Sequence, residues 1–251
     1  MPGVRGGYVA SSFDGRDVPW HNDHTSQIYA QLYRPVLRDQ GHEVDCCTSM
    51  ALATAFEIVD KRQGESTSLS SLYHYYFARR SPRHLGPLSL RQALSAAAVY
   101  GFCKLELHDV PVTVRGALQK PSEIANNDAI GRRLAAYNPN TGTAGYFSLD
   151  GIDRLNNWKR TLSAGFPVIA GIWTQSSYWA GQGMLTNQAE PQRGAHAVCV
   201  VGFEDEQETF TVRDSRGSDF ADGGEWNLAY HVVISSRIVE SWTIKTLNYD
   251  D

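Results

Sequence analysis

The chain has 251 residues, 42% of them hydrophobic and 11% aromatic, which is enough for a substantial buried core and excludes disorder of the chain as a whole. Its net charge is −4, from 23 basic and 27 acidic residues, and neither sign forms a block of five or more, so no nucleic acid or anionic membrane partner is expected. No apolar run approaches the roughly 18 residues of a membrane span, and Met1-Pro2-Gly3-Val4-Arg5 does not open a signal peptide, so a soluble, cytoplasmic protein is expected.

Residues 1–28 are rich in Gly, Ser, Asp and His without periodicity and read as an extended arm. Within it, His21-Asn22-Asp23-His24 reads as a polar loop rather than a zinc site, because no second ligand cluster stands at structural-site spacing; no metal or cofactor is expected. Residues 29–115 are expected to form a mainly helical lobe. From Cys47 to about Lys61 the apolar residues Leu52, Phe56 and Val59 recur at helical spacing, and no charge appears before Glu57, so this helix should be mostly buried. Further helices are expected at Leu69–Arg80 and at Leu90–Tyr100, the latter opened by Ser89 as N-cap and closed by Gly101.

Residues 116–150 are polar and turn-rich, as in Asn126-Asn127-Asp128 and Asn138-Pro139-Asn140-Thr141-Gly142, and read as a crossover with a short helix around Ile130–Ala136. A helix at Ile152–Ala164 follows. Residues 151–251 then turn to a β pattern: Pro167–Trp173, His196–Phe203, Thr209–Asp214 and His231–Ile234 are short runs rich in Val, Ile, Phe and Thr separated by turns. Helices first and strands later define an α+β protein with two lobes, and the seam between them is the natural place for a cleft.

The four cysteines are too few and too irregular for a disulfide framework; Cys103 and Cys199 read as buried thiols. Cys46 and Cys47 differ, because they open a helix. Unsatisfied backbone N–H groups and the helix dipole favour a negative charge on sulfur there, and a nearby histidine would strengthen the effect. His196, in Gly194-Ala195-His196-Ala197-Val198, has small neighbours that leave room for a substrate to approach the imidazole. Asp214, one hairpin further on, is the group that could accept the other imidazole N–H and fix the tautomer. Gln40, in Asp39-Gln40-Gly41, is a side-chain donor that could join the nucleophile's own backbone N–H in holding an oxyanion. Taken singly, each has an ordinary structural reading; together they supply the parts of nucleophilic acyl transfer.

These residues carry a resemblance. Asp39-Gln40-Gly41 followed by Cys47-Thr48-Ser49-Met50-Ala51-Leu52-Ala53 and Glu57 resembles the nucleophile segment of papain-like cysteine peptidases, particularly their bacterial branch. His196 to Asp205, then Phe210 to Gly217, then Asp222 to Trp226 is similar to the family's His strand, its Asn-Ser-Trp-Gly turn and the aromatic strand beyond it. The resemblance spans about residues 30–240. It implies a helical lobe and an antiparallel β-barrel-like lobe with the active site between them, a peptide or peptide-like substrate and no cofactor; no oligomeric state follows from it.

Four positions depart from the family's pattern. A spacing of six from Gln40 lands on Cys46, whereas aligning the helix, with Glu57 ten residues on, lands on Cys47; Cys47 is preferred, because a one-residue loop insertion is easier to accommodate than a rotation of the helix face by about 100°. The family's Asn is Asp214, which should favour the thiolate–imidazolium pair. The Trp that shields that hydrogen bond is Arg216, whose cation could pair with Asp214 or with a substrate carboxylate. The glycine pair that bonds an extended peptide is replaced by Pro87 and Leu88, and proline has no N–H to donate. The leading expectation is thus a cysteine hydrolase acting on peptide or amide bonds through Cys47, His196, Asp214 and Gln40, with Pro87, Leu88 and Arg216 near the substrate and Cys46 as the alternative nucleophile. An acyl or amide transferase on the same scaffold and a catalytically silent binding domain are the alternatives.

Overall fold

The computed structural model of the protein describes residues 35–79, 81, 84–135, 145–182, 193–245 and 247–248. The arm at 1–28, the His21–His24 loop and the turn at Asn138–Gly142 lie outside the described residues. Three helices stand where the periodicity places them: α1 (Cys47–Arg62), α2 (Ser71–Ala78) and α3 (Leu90–Tyr100). Ser70 and Ser89 cap α2 and α3, their hydroxyls accepting the Tyr73 and Gln92 backbone N–H groups. Gly101 ends α3 with φ at 67°, and a Cβ there would stand 2.2 Å from the Ala129 carbonyl oxygen, so a glycine is required twice over.

The crossover differs from expectation. The helix near Ile130 lies earlier, as α5 (Glu123–Ile130), preceded by a single turn α4 (Val114–Leu118) and followed by the short strand β1 (Arg133–Leu134). The shift has a local cause: the Ser122 hydroxyl accepts the Ala125 N–H as an N-cap, and the Asp128 carboxylate accepts the Lys104 backbone N–H and pairs with Arg132. Asn126-Asn127-Asp128 is therefore helical rather than a turn.

Beyond β2 (Tyr146–Ser148) and α6 (Arg154–Ser163) come β3 (Val168–Trp173), β4 (Ala195–Glu204), β5 (Thr209–Arg213), β6 (Glu225–Ala229), the helical turn α7 (Tyr230–Val233), β7 (Ile238–Ile244) and β8 (Leu247–Asn248). Strands β2 to β7 form a six-stranded antiparallel sheet in the order β2-β7-β3-β4-β5-β6, and β1 pairs with β8. The expected strand at His231–Ile234 falls largely on the turn α7: a run of four residues is too short to distinguish helix from strand by periodicity. The strand that occupies the sheet interior instead is β7.

Helix α1 is wedged between the sheet and the other helices. It touches β4 on one side and α2 and α3 on the other, which is why every residue from Cys47 to Asp60 is buried. The main core joins α1 and α3 to the sheet, through Leu52, Phe56, Leu94, Ile169, Val198 and Trp226 among others. A smaller cluster under the helices holds Val44, Cys46, Met50, Leu72, Tyr75 and Leu88. No helix among the described residues is long and apolar enough to cross a membrane.

Candidate active site

The two adjacent cysteines fall into different cores. The Cys46 side chain is buried in the small cluster under the helices, where loss of hydration pushes its thiol far up and keeps it protonated. Cys47 belongs to the core facing the sheet, at the first turn of α1. Cys46 occupies the N-cap position and supplies no side-chain acceptor to that turn, so its backbone donors are not satisfied by a cap.

His196 enters near the start of β4. The register pairs Cys199 with Arg213, so one step further Asp214 stands opposite Val198, a diagonal neighbour of His196 on the same sheet face. The His196 Nε2–H donates to Asp214 Oδ1 at 2.8 Å, with both side chains buried. The Asp214 carboxylate also accepts the Ser215 backbone N–H on Oδ1, and the Tyr178 hydroxyl and the Trp226 Nε1–H on Oδ2, each at 2.8 Å. Burial alone would raise the Asp214 carboxyl, but the His196 charge and the bonds from His196, Trp226 and Tyr178 hold it below the usual carboxylate range. For His196, burial works to lower the imidazole, yet the charges of Asp214 and Cys47 and the hydrogen bond to Asp214 raise it to about 10. The second ring nitrogen, Nδ1, is buried with no closed hydrogen bond, and Cys47 is the group that acts on the ring besides Asp214.

The segment before α1 brings Gln40 to the same place. Its backbone N–H donates to the Ser215 carbonyl at 2.8 Å, the Gly217 N–H donates to the Arg38 carbonyl at 3.0 Å, and Asp39 and Arg216 form an antiparallel bridge. The Ser215 hydroxyl donates to Gln40 Oε1 at 2.9 Å, which leaves the amide N–H groups of Gln40 as the donors on offer. This segment is fastened to α1 from behind: the Arg38 guanidinium donates to the Glu57 carboxylate at 2.5 and 3.3 Å and to the Leu69 carbonyl, while the Val36 and Leu69 backbone N–H groups donate to the same carboxylate.

Arg216 does not bind Asp214, whose acceptors are all taken by other groups; its guanidinium lies over the Trp179 ring, 4.6 Å from the centroid. Aromatic cover of the His196–Asp214 pair comes instead from Tyr178 and Trp179, whose rings stand 5.7 and 6.1 Å from the imidazole. Leu88, expected near the substrate, has its side chain buried in the core under the helices, and its carbonyl accepts the Thr48 hydroxyl at 3.0 Å, so that side chain and that carbonyl are held internally. Pro87 is half-buried beside it. Cys103 and Cys199 are buried thiols raised to about 12 by loss of hydration. Among the described residues no group of three or more His, Cys, Asp or Glu is placed to hold a metal.

Tyr178 and Trp179 carry no signal in the sequence, because they lie on a single π-helical turn at Tyr178–Gln182 and reach the site only through the fold. Trp226 was visible as part of an aromatic strand, though not as a donor to Asp214.

The helical lobe, the antiparallel sheet and the site between them define the papain-like cysteine peptidase fold. Xylellain, a cysteine protease from Xylella fastidiosa, superposes with a TM-score of 0.78 at 22% identity, covering 97% of each chain. A procathepsin B from Trypanosoma congolense superposes with a TM-score of 0.73 at 12% identity, covering 98% of this chain and 87% of that one. An uncharacterized peptidase C1-like protein of Acanthamoeba polyphaga mimivirus is 26% identical over 219 residues, 82% of this chain and 68% of that protein. Residues 113–238 match the Peptidase_C39 like family, and the chain belongs to that family. The matched segment includes His196 and Asp214 and begins beyond Cys47. The protein is thus cysteine peptidase-like in family and fold.

Proposed function

We propose that this protein is a cysteine hydrolase that cleaves a peptide or amide bond through an acyl-enzyme on Cys47. The supporting observation is the buried His196, tied to Asp214 by one ring nitrogen at 2.8 Å and left with the other for Cys47 at the uncapped start of α1.

In this mechanism His196 takes the thiol proton and the sulfur attacks the carbonyl carbon. The Gln40 amide and the Cys47 backbone N–H receive the charge that develops on the carbonyl oxygen. The imidazolium then gives its proton to the leaving nitrogen as the C–N bond breaks, and the amine departs. Water attacks the thioester, its proton passing to His196, and release of the acid restores the thiol. Asp214 orients the ring and stabilises the imidazolium. Acylation also removes charge from the sulfur, one of the causes that raise His196, so its affinity for a proton falls when it must act as base toward water.

Mass analysis of peptide digestion tests this reading. Wild-type protein should release free acids even when a simple amine is added, and Cys47→Ser and His196→Ala should each abolish release while keeping the wild-type circular dichroism spectrum. Cleavage that survives either substitution, or amide products at low amine concentration with little free acid, would overturn it.

A further inference from the structure

Arg216 has the surroundings of a binding group rather than of a structural ion pair. Its guanidinium rests on the Trp179 face, with the Phe220 ring 5.9 Å away, and forms no ion pair among the described residues. Asp214 is taken by four other donors, Asp39 Oδ1 accepts the Gly41 N–H, and Asp219 accepts the Ser218 hydroxyl. A recess of about 440 Å³ opens beside it, lined by Trp179, Phe220, His42 and the two acids Asp39 and Asp219. Stacking on an aromatic face fixes the guanidinium plane and leaves its N–H edge for a planar acceptor, so little freedom is lost when a carboxylate docks.

The recess lies on a definable side of the reacting atoms. Trp179 is shared between Arg216 and His196, and Ser215, next to Arg216, holds the Gln40 side chain. Because the imidazole must reach the leaving nitrogen to protonate it, the departing part of the substrate passes along the wall that contains His196. That wall continues through Trp179 to Arg216.

We propose that Arg216 anchors a carboxylate on the leaving group, so that preferred substrates release an amine carrying one carboxylate close to the scissile nitrogen. The carboxylate is supplied either by a free C-terminus or by an acidic side chain just after the cut. Asp39 and Asp219 at the rim disfavour a second negative charge and limit the preference to one. This inference rests on Cys47 and His196 being the reacting pair.

The test uses the full chain and random-sequence peptide pools of three kinds: free C-terminus, amidated C-terminus, and amidated with Asp or Glu fixed next to last. Cleavage sites and rates are read by mass spectrometry, and Cys47 labelling by iodoacetamide is measured in parallel. At least one carboxylate-bearing pool should be cut about tenfold faster than the plain amidated pool, with the cut placing the carboxylate on the first or second released residue. The faster pool identifies the carboxylate's source. Arg216→Gln should bring the ratio to within about twofold, and Arg216→Lys should restore part of it. Equal rates on all pools, cleavage of none, or an unchanged ratio in Arg216→Gln, each with normal Cys47 labelling, overturns the anchor and leaves the hydrolase reading in place. Absence of rapid Cys47 labelling overturns both.

Discussion

The Tyr178 hydroxyl donates to Asp214 Oδ2 across 36 residues of sequence, at 2.8 Å, on the oxygen that His196 does not use. Burial and the Asp214 charge push the phenol well above its ordinary value, so Tyr178 remains a donor throughout the accessible pH range. Tyr178 and Trp226 thus hold the carboxylate ionised and fixed while the other oxygen serves the imidazole. Tyr178→Phe should lower kcat/KM about tenfold or more, the usual cost of losing a hydrogen bond to a buried charge. It should also move the acid limb of the pH–rate profile upward, because Asp214 then gains a proton more readily. A purely structural tyrosine would leave that limb in place.

Stability should depend on pH through two histidines of opposite sign. His74 is buried between the Ser49 hydroxyl and the Ala93 carbonyl, at 2.9 Å from each, and stacks on Phe102. Burial lowers its pKa from 6.5 to about 4 against a small opposing effect of the Ala93 hydrogen bond. The folded form therefore binds fewer protons than the unfolded form in that window. The His74 contribution is complete above pH 6.5 and lost as pH falls toward 4, by roughly 3 kcal/mol. His196 is raised to about 10, so its contribution is present below 6.5 and lost as pH rises toward 10. Urea denaturation between pH 7 and 4.5 should show stability falling on acidification, and His74→Gln should flatten that slope. An unchanged slope would count against the His74 assignment.

Glu57 joins the segment bearing Gln40 to the helix bearing Cys47, through Arg38 and the Val36 backbone N–H. Glu57→Gln leaves the Arg38 cation buried without its counter-charge, which should cost about 3 kcal/mol of stability in urea denaturation. Because the segment bearing Gln40 then loses this tie to α1 and keeps its bonds to Ser215 and Gly217, kcat should fall more than KM rises.

Caps and periodicity make much of the framework legible in the sequence. Ser89 and Gly101 bound α3 as read, and β3, β4 and β5 lie within a residue or so of their apolar runs. Strand β7 is hidden in the sequence because the residues it buries on its two faces include Glu240, Ser241 and Thr243. The fold satisfies them with the Trp242 and Trp158 indoles, Asp150 and the Pro167 carbonyl, so a buried strand reads as a polar one. The site divides in the same way. Cys47, His196, Asp214 and Gln40 stand in local patterns that a sequence displays. The Tyr178 and Trp226 bonds to Asp214 and the stacking of Arg216 on Trp179 are contacts between separate segments, set by sheet register and by the turn after β3.

The most direct measurement is alkylation of the native protein with substoichiometric iodoacetamide near neutral pH, followed by peptide mapping of all four cysteines. A single label is expected on Cys47, formed much faster than on free cysteine and slowed to the free-cysteine rate in His196→Ala, with Cys46 unmodified in its apolar cluster. A label on Cys46, or labelling of Cys47 no faster than free cysteine, would contradict the assignment of Cys47 and His196 as the reacting pair.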